Sequence, residues 1–95
     1  MRIAAIMTCH NRRAKTLSCL ESLYKIESSI DTYLTDDGCT DGTPEAISDK
    51  FKKVTIVDGD GTLYWSRGMY TAWKEAVKGK YDYYLWINDD VELYQ

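Results

Sequence analysis

Short apolar runs and helix-spaced apolar positions alternate along this whole chain, and few folds accommodate such a pattern. Ile3–Met7 is continuously apolar, as in a strand covered on both faces, and it ends at Thr8-Cys9-His10-Asn11. From Ala14 to Tyr24, Leu17, Leu20, Leu23 and Tyr24 recur at helical spacing among Lys15 and Glu21. Ile30–Thr35 reads as a second strand, closed by the turn residues Asp36-Asp37-Gly38. Thr43 can cap a second helix with Pro44 at its first position, where the N–H that proline lacks would be unpaired anyway. That helix runs to about Phe51. Val54–Val57 is a third strand, followed by the loop DGDGT from Asp58 to Thr62. Met69, Ala72, Trp73, Ala76 and Val77 share one face of a third helix, with Gly79 as its stop. Tyr83–Ile87 is the fourth strand.

The order βαβαβαβ, with helices of this length, demands crossover connections and hence a parallel, Rossmann-like α/β sheet. Sheets of this kind bind ligands beyond the carboxyl ends of their strands, where strand order reverses. If strand four returns beside strand one, giving the order 3-2-1-4, the reversal lies between those two. Thr8 and His10 would then face Asp89 and Asp90, with Asp37 on the neighbouring strand end.

Composition narrows the classes of function. The 95 residues suit one domain, and 44% hydrophobic with 28% charged residues is the balance of a globular chain rather than a disordered one. A net charge of −3 and the lack of a Lys/Arg cluster disfavour nucleic acid as a partner. Ile3–Met7 is too short for a signal sequence or a membrane span, so a cytoplasmic location is expected. Cys9, Cys19 and Cys39 are odd in number and form no CxxC pair, which fits a reducing compartment and small buried side chains. A zinc site from Cys9, His10 and Cys39 is an alternative without paired ligand spacing to support it.

The end of the fourth strand is the most chemically loaded stretch. In WINDDVEL an apolar strand runs directly into Asn88, Asp89 and Asp90, with Glu92 close behind. Two carboxylates about 4 Å apart repel by about 4 kcal/mol at an effective dielectric near 20, so they need solvent, a raised pKa or a cation. A solvated turn satisfies the first condition. A divalent cation such as Mg²⁺ or Mn²⁺, which takes oxygen ligands and often only one or two carboxylates plus substrate phosphates, satisfies the last.

Four segments in order, TCHNR after strand one, DDGCTDGT after strand two, GDGTLYWSRGMYTAW leading into helix three and INDD after strand four, resemble the family 2 glycosyltransferases of GT-A fold. The resemblance covers essentially the whole chain and implies the N-terminal, donor-binding half of an inverting enzyme that uses a nucleotide-diphospho-sugar. It implies that Thr8, His10 and Asn11 line the nucleotide pocket, that Asp37 accepts a hydrogen bond from the base, and that Asp36 supports the loop. Arg67 would approach the base or diphosphate; the family usually has Asn after that arginine, where this chain has Gly68. Asp89 would hold ribose or metal, and Asp90 would ligate Mn²⁺ or Mg²⁺ bridging the diphosphate. The acceptor is expected to be a saccharide, lipid or protein, with its contacts and the catalytic base supplied from beyond Gln95. A non-catalytic nucleotide-binding module of the same fold is the alternative. Exposed aromatic residues, Tyr64, Trp65, Tyr84 and Trp86, are expected to form an apolar patch that favours a homodimer.

Overall fold

The computed structural model describes residues 1–91, so Glu92 lies outside the described residues. Strand β1 (Ile3–Cys9) leads to helix α1 (Arg13–Ile26), β2 (Asp31–Asp36), α2 (Thr43–Lys50), β3 (Val54–Asp58), α3 (Tyr64–Ala76), a 3₁₀ turn (Val77–Gly79) and β4 (Tyr83–Trp86). The four strands form one parallel sheet in the order β3-β2-β1-β4. This is the Rossmann-like topology that the alternation of periods requires.

The continuous apolar run of β1 has a direct cause. Ala5, Met7 and Cys9 point to one face, where they meet Cys19, Leu20 and Leu23 of α1 and Ile47 of α2. Ala4 and Ile6 point to the other, against Met69, Ala72 and Ala76 of α3. Helices therefore cover both sides of the central strand, and Ala4 through Met7 have no solvent exposure. Each fully buried Leu, Ile or Met side chain stabilises the fold by about 1.5–3 kcal/mol.

Several boundaries differ from the sequence pattern for identifiable reasons. β1 continues past Met7 because Thr8 and Cys9 pair in register with Thr35 and Asp36. Thr43 is the first residue of α2 instead of its cap. Gly42, at φ 80°, makes the turn into the helix, and Asp41 Oδ1 accepts the Thr43 N–H at 3.2 Å and its hydroxyl at 2.5 Å. At the far end of α3, Lys80 takes the left-handed turn (φ 55°), while a Cβ on Gly79 would sit 2.5 Å from the Tyr81 ring. Among the described residues no helix is long and apolar enough to cross a membrane.

Candidate functional site

The parallel pairing of β4 with β1, extended by the Ile87 N–H donating to the Ile6 carbonyl at 3.0 Å, brings their carboxyl ends side by side. There a cleft of about 490 Å³ opens. Thr8, Cys9, His10 and Arg12 line it from the end of β1, Asp37 from the end of β2, and Asn88, Asp89 and Asp90 from the end of β4. Gly61, Tyr64 and Trp65 complete the lining from the entry to α3. The cleft occupies the point where strand order reverses, the usual ligand position in an open α/β sheet.

Asp37 is 4% exposed and organises the loop opposite it. Its Oδ1 accepts the Gly61 N–H at 2.8 Å, and its Oδ2 accepts those of Leu63 at 3.1 Å and Tyr64 at 3.0 Å. Three backbone donors converging on one carboxylate hold the start of α3 to the end of β2. Tyr64 accepts a left-handed φ of 58° as part of this arrangement. His10 Nδ1 lies 2.6 Å from the Asp37 carbonyl oxygen. A carbonyl only accepts, so Nδ1 carries a proton and donates it.

The two aspartates after β4 differ in environment. Asp89 is buried, with the Thr16 hydroxyl donating to its Oδ2 at 3.4 Å. Burial pushes its pKa up, opposed by the Arg12 guanidinium and reinforced by Asp90. Asp90 is exposed, and its Oδ2 is 3.4 Å from Arg12 Nη1, which also lies 3.8 Å from Asp89 Oδ1. One guanidinium thus spans both carboxylates.

Among the described residues no three His, Cys, Asp or Glu side chains gather as a metal shell. What the chain itself offers is two adjacent hard-oxygen donors already facing a positive charge. That donor set fits Mg²⁺ or Mn²⁺ whose remaining ligands are phosphate and water, and it does not fit zinc. The cysteines do not rescue a zinc site. Cys9 and Cys39 sulfurs are 3.5 Å apart, but among the described residues they do not gather with a third ligating side chain. Burial raises the Cys9 and Cys39 thiol pKa values and pushes that of Cys19 up to about 11, so in the metal-free protein all three are thiols.

Tyr64 and Trp65 are exposed, and Trp65 Nε1 donates to Asn88 Oδ1 at 2.7 Å, tying the aromatic wall to the end of β4. Trp86 lies beside it, with ring centroids 6.3 Å apart. Of the four aromatic residues expected in an exposed patch, Tyr84 is the exception, half-buried against Tyr81 and the α3-side core.

Thr8, His10, Asp37, Asp89 and Asp90 therefore share one cleft, whereas Asn11, Asp36 and Arg67 are not among its lining residues. Asn11 Oδ1 accepts the Thr40 N–H at 2.7 Å, and Asp36 Oδ1 accepts that of Cys39 at 2.8 Å, so both brace the loop after β2. Arg67 is exposed near Asp60, whose carboxyl it helps to hold below the usual range after the dominant Thr62 hydrogen bonds. Its neighbour Gly68 accounts for that placement: a Cβ there would collide with the Thr8 side chain, and the Gly68 carbonyl accepts the Thr35 hydroxyl at 2.7 Å. Successive helix residues are about 100° apart, so contact at Gly68 turns Arg67 away from β1. Arg12 was not singled out by the sequence pattern. It closes the TCHNR segment, which by itself assigns it no role.

A model of the family described as glycosyl transferase family 2 matches residues 4–95. Among solved structures the chain is similar to the mannosyltransferase PcManGT from Pyrobaculum calidifontis, in complex with GDP-Man and Mn²⁺. The TM-score is 0.68 and the identity 20%, over 78% of this chain and 24% of that one. It is similar at the same TM-score, 0.68, and 20% identity to TarS of S. aureus, over 95% of this chain and 17% of that one. The chain thus spans less than two thirds of either structure, and likeness at this identity speaks for the shared fold. No curated protein matches it. With the family model aligned from Ala4 to Gln95, on a sheet of order 3-2-1-4, the chain belongs to glycosyl transferase family 2.

Proposed function

We propose that this chain forms the donor-binding half of an inverting, metal-dependent glycosyltransferase, which moves a sugar from a nucleotide-diphospho-sugar to a hydroxyl of a saccharide, lipid or protein. The observation behind this reading is the convergence of Thr8, His10 and Asp37 with Asp89 and Asp90 in one cleft between β1 and β4. The mannosyltransferase neighbour, in complex with GDP-Man and Mn²⁺, supports the choice of ligand class.

In this reading Thr8 and His10 flank the nucleoside, and Asp37 fixes the wall that faces it. Asp90, with Asp89 beside it, would hold the cation against the diphosphate. When bound, a divalent cation neutralises charge that develops on the departing diphosphate oxygens, which lowers the barrier to breaking the sugar–phosphate bond. The acceptor hydroxyl attacks the anomeric carbon, and a carboxylate base removes its proton. Tyr64 and Trp65 form the exposed aromatic wall of the cleft.

Tyr83, Leu85 and Trp86 of β4 are exposed. A homodimer that covers this strand is part of the proposal, because contiguous apolar surface and an outer strand favour association. Sedimentation equilibrium reads it directly; a strict monomer at high concentration would remove that part alone.

Thermal-shift screening of nucleoside diphosphates with and without Mn²⁺ tests the reading. A ligand present at 100 times its Kd stabilises by about 2.7 kcal/mol, on the order of 10 °C or more in Tm for a domain of this size. A metal-dependent rise with at least one nucleoside diphosphate is expected. No rise with any of them would overturn the assignment.

A further inference from the structure

Arg12 is the last residue before α1, and its carbonyl accepts the Thr16 N–H at 2.8 Å. Its side chain is 53% exposed and lies 3.4 Å from Asp90 and 3.8 Å from Asp89. Among the described lining residues it is the one Lys or Arg, sharing the cleft with Asp37, Asp89 and Asp90. The adjacent Arg13 is engaged elsewhere, its guanidinium donating to the Asp41 carbonyl at 3.3 Å. An anionic ligand entering this cleft therefore meets three carboxylates and a single fixed cation.

We propose that Arg12 is the phosphate-binding residue of the cleft, held across Asp89 and Asp90 until a divalent cation takes those carboxylates and frees the guanidinium for the diphosphate. Both contacts are longer than the 2.7–2.9 Å of a tight charge-assisted pair, and the head group is half exposed, so releasing it costs little. A guanidinium and a divalent cation cannot both occupy the space between two carboxylates without strong repulsion. Once displaced, the planar fork of Arg12 pairs two N–H donors with phosphate oxygens, a geometry lysine lacks. Arg12 thus serves as counter-ion in the metal-free protein and as ligand-binding group in the loaded one. The proposal rests on the functional reading above for the identity of its ligand, and on the described geometry for the counter-ion role.

Two titrations with opposite expected signs test it. Mn²⁺ alone is titrated into the wild-type chain and Arg12→Gln by calorimetry; the variant should bind the metal several-fold more tightly, because a competing cation is gone. UDP, GDP, ADP, CDP and dTDP are then titrated at saturating Mn²⁺. The variant should bind whichever of these the wild type binds about tenfold more weakly, while Arg12→Lys falls between the two. Lys25→Gln, which makes the same change in net charge at the far end of α1, should leave both affinities unchanged. Unchanged or weakened Mn²⁺ binding in Arg12→Gln overturns the counter-ion role with the functional reading still standing. Unchanged diphosphate affinity overturns the phosphate role. If none of the five binds the wild type, the functional reading has failed and takes the phosphate role with it, whereas the Mn²⁺ titration still decides the counter-ion role.

Discussion

The carboxylate of Asp37 accepts the backbone N–H of Tyr64 at 3.0 Å, so a residue at the end of β2 sets how the chain enters α3. With the Gly61 and Leu63 N–H groups on the same carboxylate, the cleft wall made by Tyr64 and Trp65 depends on one buried side chain.

Asp37→Ala should therefore affect both stability and binding. It strands three backbone donors, and hydrogen bonds to a charged group contribute about 1.5–3 kcal/mol, so a loss of about 3 kcal/mol and on the order of 15 °C in Tm is expected. Nucleoside affinity should fall with or without metal. Thermal melts and calorimetry check the two effects; a Tm within about 2 °C of wild type would show that the loop does not depend on this residue.

Gly68→Ala should destabilise by about 1–3 kcal/mol through overpacking, because its Cβ has no space beside Thr8. Chemical denaturation gives the value. An unchanged midpoint would mean that α3 can move off β1 without penalty.

Much of this architecture is legible in the sequence because the sheet is buried on both faces. Ile3–Met7 has the pattern of a two-sided strand, and the period-3.6 positions Met69, Ala72 and Ala76 are the side chains that cover Ala4 and Ile6. Residues whose role depends on three-dimensional turns are not legible in this way. Thr8 and Cys9 belong to β1 through pairing with β2, which no local pattern reports. Arg67 reads as a cleft residue from its place in a motif, yet the close approach of Gly68 to Thr8 rotates it away. Arg12 stands in the TCHNR segment without a role of its own. Only the return of β4 beside β1 puts Asp89 and Asp90 next to it.

The raised pKa of Asp89 predicts a stability cost that depends on pH. Burial is the main cause, with Arg12 opposing it and Asp90 adding to it, so the folded chain holds this proton to higher pH than the unfolded chain. Stability should fall as pH rises from the ordinary carboxylate range through the raised value, and the cost is fully present above it. Asp89→Asn should then melt higher than wild type at pH 7, with the advantage shrinking towards pH 4. Thermal melts across that range measure it. A lower Tm for the variant at pH 7 would mean that the ionised carboxylate is net stabilising.

Calorimetric titration of nucleoside diphosphates into the wild-type chain and Asp90→Asn, each with and without Mn²⁺, reads whether Asp90 carries the metal-dependent part of binding. Asp90 is exposed at a strand end, so its replacement removes one charge from the cleft without disturbing the core. The wild type should bind more tightly with Mn²⁺, and Asp90→Asn should lose that metal-dependent gain while keeping its Tm. Equal Mn²⁺-dependent affinity in the two proteins, or no nucleoside diphosphate binding by the wild type under any condition, would contradict the account.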